Sequence, residues 1–384
     1  MKKALNIIIS VSFFAAIFAM FLLNVLSAPE EFSASERRRL AQFPPLSAAA
    51  VLNGKFMEGF EDYAVDQAAF RGKFRRLKAE FDFNVLRKLD NNKIFVIDNM
   101  VFKTEYPLNE PSIKRLSGII NSLYDGFPEG IGNVYYTIVP DKNAYLLNSN
   151  HLILNYGKMK KIARESLAPG ITYIDIFDEL SLFDYFRTDS HWRQERLGDV
   201  ALALAKGMSF ELAPEPYTKE SFDRFYGVYY GQSALNIDPD ELVWLVNDTT
   251  RNTIVTSAEK PGEILPVYDL LQLDSVDPYS LFMCGPAALV TAENPANDSG
   301  RELIIFRDSY ASSLAPLLLS AYSRITMIDL RYMTPDQIGQ FVEYLDQDVL
   351  FIYSATLFNT SDSIRSGSAA FISPFTAKGR LAVP

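Results

Sequence analysis

The sequence predicts an α/β protein built on a parallel sheet and preceded by one apolar N-terminal helix, and three observations predict it. Short apolar runs such as Val134–Val139, Leu303–Phe306 and Val349–Tyr353 alternate with stretches of helical periodicity, the pattern of strands buried on both faces. Chemically able polar residues follow two of these runs, Asp141-Lys142-Asn143 and Arg307-Asp308-Ser309, where open α/β sheets carry their sites. Lys2 and Lys3 precede Ala4–Leu26, a stretch without a charged residue.

At about 1.5 Å per residue that stretch spans roughly 35 Å, enough to cross a bilayer. It reads as a signal anchor with residues 1–3 in the cytoplasm and the rest of the chain outside. Ser27-Ala28 leaves cleavage of a signal peptide as the alternative, which also exports the protein. Residues 27–90 form a juxtamembrane segment: a charged, Pro-containing spacer, then a helical hairpin from Ser47 to Leu89. Phe56, Phe60 and Tyr63, then Phe70, Phe74 and Leu77, recur at helical spacing, and Asp66 and Arg71 can pair at the junction.

The α/β domain is expected over residues 91–360. Lys93–Ile97, Val134–Val139 and Ile171–Ile176 read as strands, and Ser190–Lys206 as a helix with Leu197, Val200, Ala201 and Leu204 on one face. A β-rich insertion is expected over 225–291, with strands at Tyr226–Tyr230, Leu242–Val246 and Thr253–Thr256. After the strand ending at Phe306 come a helix through Leu314 and Leu317 to Tyr322, strands Ile325–Leu330 and Val349–Tyr353 with a helix between them, and a tail over 361–384.

With 37 basic against 47 acidic residues the chain carries a net charge of −10, and no basic stripe is present to neutralise phosphates, so no nucleic-acid partner is expected. The single cysteine, Cys284, excludes an internal disulfide. The two histidines form no metal-binding motif, and neither a metal nor another cofactor is expected.

That scarcity singles out His191, since histidine is the side chain suited to proton transfer near neutral pH. Asp189, two positions before it, can hold the ring in one tautomer. Ser309 follows a buried strand at the start of a helix, where backbone N–H groups and the helix dipole favour an oxyanion. Each residue also has a structural reading: Ser309 or Asp308 as a helix cap, His191 as a packed residue beside Trp192, Asp189 as a cap. His151 reads as a surface histidine in the polar loop Asn148–His151.

Together, Thr188-Asp189-Ser190-His191-Trp192 followed by Gly198, and Arg307-Asp308-Ser309-Tyr310-Ala311 leading to Met327–Tyr332, resemble the DHHW family of exported proteins. That family is related to the SGNH-hydrolase-like domains of the alginate acetylation proteins AlgJ and AlgX. Ser35–Leu40, Asn53–Phe56 and Asp66–Arg71 resemble the family's opening segment, so the likeness runs over about residues 33 to 355. It implies an SGNH-like, flavodoxin-type sheet, with Asp189 and His191 as the acid–base pair and Ser309 as the nucleophile. It also implies acyl transfer to a glycan acceptor of the cell envelope or an exopolysaccharide, served by a membrane-bound acyl transporter. A carbohydrate esterase or an inactive glycan-binding assembly protein are the alternatives. Two positions depart from the pattern. Ser190 replaces the family's first histidine, and Arg307 replaces a glycine before the Asp-Ser pair, where its side chain can narrow the site or bind an anion. Asn143 and Gly285 are the candidate oxyanion donors. Arg331 is a candidate to orient substrate, or else a salt bridge at a strand end.

Overall fold

The computed structural model describes residues 2–146, 150–213 and 215–364. The expected tail therefore lies, beyond residue 364, outside the described residues, as do Asn148 and Ser149. The chain divides into two compact units, Met1–Asn92 with Tyr230–Ile237, and Lys93–Tyr229 with Asp238–Pro384.

In the first unit, helix α1 (Lys2–Leu26) is long and apolar enough to be a membrane span or signal anchor. The hairpin consists of α2 (Lys55–Asp66) and α3 (Arg71–Glu80), with α3 running on into a π-helical turn, Phe81–Val85. Phe56, Phe60 and Tyr63 of α2 gather around Phe43. At the junction Arg71 pairs with Asp66 at 3.3 Å. Arg38 grips the same carboxylate at 2.5 Å, and Glu36 takes Arg71 and Arg75. Burial works against the Glu36 charge, yet the surrounding guanidinium groups hold its carboxyl down at about 2.

The second unit is organised by eight strands: β1 (Val134–Val139), β2 (Ile171–Tyr173), β3 (Ile254–Ser257), β4 (Lys260–Leu265), β5 (Leu289–Glu293), β6 (Glu302–Arg307), β7 (Arg324–Ile328) and β8 (Asp348–Ser354). They form one sheet in the order β4-β3-β5-β7-β6-β8-β1-β2. The five strands from β7 to β2 are parallel, and β5, β3 and β4 extend the sheet as an antiparallel edge. The expected parallel sheet is thus mixed, and the region read as an insertion supplies three of its strands. Counted from the chain start, the parallel strands run 2-1-5-3-4. Counted from β6 they run 2-1-3-4-5, the flavodoxin order. The sheet is a circular permutation of that topology, and its switch point falls between β6 and β8.

The continuous apolar runs are explained by burial on both faces. Leu303, Ile305, Leu350 and Ile352 pack against α6 (Gly198–Met208) and α7 (Tyr310–Leu318). The alternate residues Ile304, Phe306, Val349 and Phe351 pack against α4 (Glu110–Tyr124) and α5 (Tyr156–Ser166). Each residue shift along a strand changes face, which gives three layers.

Several local expectations are corrected. The helix read from Ser190 starts at Gly198, because residues before it are spent in backbone bonds: Phe186 N–H donates to His191 O and Arg193 N–H to Asp184 O. Leu197, Val200, Ala201 and Leu204 are buried as expected. Tyr226–Tyr230 is not a strand, and a short helix, Val228–Ser233, replaces it. Its leading N–H groups point at Thr188 and Asp189 and so make no ladder. The true ribbon pairs Thr218–Phe225 with Asp240–Val246. The strand at Lys93 is Ile94–Ile97, paired with Met100–Lys103 in a separate hairpin. His151 stacks on Phe95 with ring centroids 3.8 Å apart, so it is a packed residue.

Candidate active site

β6 ends at Arg307, and the chain turns through Asp308 and Ser309 into α7. Asp308 does the capping: Oδ1 accepts Tyr310 N–H at 3.1 Å and Oδ2 accepts Ser354 N–H, at the end of β8, at 2.7 Å. The Ser309 hydroxyl makes no cap bond and lies 2.7 Å from His191 Nε2. His191 Nδ1 lies 2.5 Å from Asp189 Oδ1. The structure therefore brings Asp189, His191 and Ser309 into one hydrogen-bonded relay at the switch point, where open α/β sheets bind ligands. Asp189 is fully buried and the His191 side chain is 12% exposed, while Ser309 is partly exposed, so the relay opens at its serine–histidine end.

Each member is held from elsewhere in the unit. The Asp189 carboxylate also accepts His191 N–H at 3.0 Å and Val228 N–H at 2.8 Å. Gly227 fits here because a Cβ on it would lie 2.3 Å from Asp189 Cβ. Asp240 accepts the N–H groups of Arg187 and Thr188 and the Thr188 hydroxyl. From the end of β1, Lys142 Nζ donates to the carbonyls of Phe186 (2.9 Å), Arg187 (3.1 Å) and Asp189 (2.8 Å). Burial pushes this ammonium down to about 7, although Asp189, Asp240 and Asp141 oppose the shift. Burial likewise pushes Asp141 up to about 6, against the Tyr156 hydroxyl and Asn143 N–H that it accepts.

Aromatic rings complete the wall. Tyr279 lies flat on His191, centroids 3.9 Å apart and planes 13° apart, and its hydroxyl meets Ser313 Oγ at 2.8 Å. Tyr310 OH donates to Ser190 O. Trp192 Nε1 donates to Tyr310 O and to Ser313 Oγ. These bonds latch the first turn of α7 to the segment carrying Asp189 and His191.

The other candidates stand apart from this relay. Arg307 is fully buried and donates to Ser312 Oγ, Gly285 O and Ala287 O, so its guanidinium is spent inside the unit. Gly285 adopts φ +61 and spends its N–H on Phe282 O, which leaves nothing for an oxyanion. Asn143 donates its amide to Lys103 O at 2.7 Å. Arg331 chelates Asp329 through Nε and Nη2, the salt-bridge reading. Sequence reasoning placed Lys142 at a site-bearing strand end without giving it a role, and it missed Gly227 and Tyr279. Nothing local marks Gly227 or Tyr279.

Neither a protein-family model nor a curated protein matches the chain. Solved structures do. A DHHW family protein from Eubacterium siraeum DSM 15702 superposes with TM-score 0.56 at 21% identity, over 74% of this chain and 95% of that one. Bacillus cereus PatB1 with a sulfonyl adduct superposes with TM-score 0.57 at 17% identity, over 71% and 97%. The O-acetyltransferase domain of Pseudomonas putida AlgJ aligns at TM-score 0.44 and 14% identity, over 73% and 96%. The chain resembles the DHHW family protein and PatB1 along nearly their whole length, and what it shares with them is the fold.

Proposed function

We propose that the chain is an SGNH-type acyltransferase, anchored by α1 with its second unit outside the cytoplasm, that O-acetylates a cell-envelope or exopolysaccharide glycan through Ser309. The observation that carries this reading is the hydrogen-bonded Asp189–His191–Ser309 relay. In the first step His191 Nε2 takes the Ser309 proton as Oγ attacks the donor's acyl carbon. The oxyanion forms beside the N-terminus of α7, whose partial positive charge favours it. The acyl–donor bond then breaks, His191 returns the proton to the leaving group, and an acyl-Ser309 ester remains. A sugar hydroxyl, deprotonated by the same imidazole, takes the acyl group and regenerates the serine. Asp189 keeps Nδ1 protonated and offsets the imidazolium charge throughout.

With water as acceptor the same steps make an esterase. The inactive glycan-binding alternative was motivated by Arg307, whose guanidinium is committed to Ser312 Oγ and the Gly285 carbonyl. A domain outside the membrane meets no cytoplasmic acyl donor, so a membrane-bound acyl transporter belongs to the same proposal. The test is labelling of the full chain with a fluorophosphonate. It is expected to be strong, abolished by Ser309→Ala and reduced more than a hundredfold by His191→Ala. A well-folded wild type that takes no label refutes the reading. Acetyl transfer from p-nitrophenyl acetate to oligosaccharides, set against release of free acetate, separates transferase from esterase.

A further inference from the structure

Surface helices of water-soluble units turn their apolar stripe inward. Helix α3 does the reverse. Phe70, Phe74, Leu77 and Phe81 are 54%, 50%, 65% and 50% exposed, and the row continues through Val85 at 62%. At about 100° per residue, Phe70 to Phe81 occupy an arc of roughly 60°. The face turned into the unit carries Ala79 and Asp82, both buried, together with Arg71 and Arg75 on Glu36. Lys73 and Lys78 flank the outward row on its two sides, and both are exposed; the Lys78 ammonium is held by Asp82 Oδ2 at 2.8 Å and Asn91 Oδ1 at 2.9 Å, so its stem borders the row and Lys73 is the side chain placed to reach outward. An apolar row bordered by long cationic side chains is the pattern of a helix lying in a membrane interface, with the amines reaching to the headgroups.

A second observation fixes which surface covers it. The Ala69 N–H, one residue before this row, donates to Asn24 Oδ1 in the last turn of α1 at 2.6 Å. The row therefore begins where the apolar span ends. We infer that α3 and its π-helical turn lie flat on the outer leaflet, the Phe70–Val85 row in the acyl boundary and Lys73 at the headgroup level. This rests on the reading of α1 as a membrane span. Two anchors, one crossing and one lying flat, restrict the rotation of the first unit about the span.

The full chain in vesicles of three parts phosphatidylcholine to one part phosphatidylglycerol tests this. Single spin labels are placed at Leu77→Cys, Arg76→Cys and Phe14→Cys in a Cys284→Ser background. Relative to a water-soluble nickel chelate, oxygen collisions are expected to be at least fivefold more frequent at Leu77→Cys than at Arg76→Cys. The Phe14→Cys label is expected deep in lipid. Equal, water-like accessibility at Leu77 and Arg76 with Phe14 in lipid overturns the flat helix and leaves the span standing. A Phe14 label in water overturns both. A Leu77 label shielded from oxygen and chelate alike places protein over the row and overturns the proposal in favour of a protein partner.

Discussion

Replacing Asp189 by Asn separates the two tasks of that carboxylate. Three N–H donors converge on it, His191 N–H and Nδ1 on Oδ1 and Val228 N–H on Oδ2. An amide accepts at one end only. With its oxygen toward His191 it keeps two bonds and sets its NH2 against Val228 N–H; the opposite flip keeps the Val228 bond, sets its NH2 against His191 N–H and donates to Nδ1 once the imidazole takes its other tautomer. In the first arrangement the imidazole keeps its tautomer and the loss is the negative charge; in the second Nε2 carries the proton and no longer serves as base, a loss at least as large. With charge centres about 4 Å apart and an effective dielectric constant near 20, the carboxylate–imidazolium attraction is about 4 kcal/mol. That is roughly a thousandfold in rate at about 1.4 kcal/mol per decade. The stranded Val228 donor costs a further ~1–3 kcal/mol of stability. The assay is the second-order rate of fluorophosphonate labelling of Ser309 near pH 7, with a urea melt for stability. A folded variant that labels within about threefold of wild type refutes the role assigned to Asp189.

Lys142→Met takes the lysine donor from three carbonyls; Arg187 O keeps Val101 N–H, while the buried Phe186 and Asp189 carbonyls lose their donor, at an expected cost of about 2–3 kcal/mol, the relief of ammonium burial offsetting part of the loss. The wild-type lysine releases its proton near 7 when folded and near 10.5 when unfolded. In that window the unfolded chain binds more protons, so stability rises with pH; urea midpoints are expected to climb from pH 7 to 9.5 in wild type relative to the Met variant. Tyr279→Leu removes the ring stacked on His191 and is expected to slow labelling about tenfold, at ~1.4 kcal/mol per decade, whereas Tyr279→Phe stays within about twofold. Gly227→Ala drives a Cβ into Asp189 and Thr188, an overpacking expected to cost about 3 kcal/mol or more and to lower both the melting temperature and the labelling rate.

By itself the sequence determined what is local. Apolar runs without polar alternation announced strands covered on both faces, and Ala4–Leu26 announced a helix able to cross a membrane. The rarity of histidine, with a strand-to-helix serine, isolated the three residues that the fold brings together. Local pattern also misled: the alternation at Tyr226–Tyr230 is overridden where N–H groups are spent on the Thr188 and Asp189 side chains, and the periodicity from Ser190 where the backbone pairs with Asp184 and Phe186. Tertiary structure decided the rest. The permuted strand order places Ser309 between β6 and β8. The same packing buries Arg307, commits the Gly285 N–H, and sends Lys142 across to the Asp189 turn. The Gly285 bond closes a local turn on Phe282 O, but the Arg307 and Lys142 bonds reach 22 and 47 residues along the chain, and no periodicity in a sequence encodes which donor reaches which carbonyl. The outward face of α3 is the sharpest case: its spacing specified a stripe, and only the fold showed that the stripe looks away from the protein.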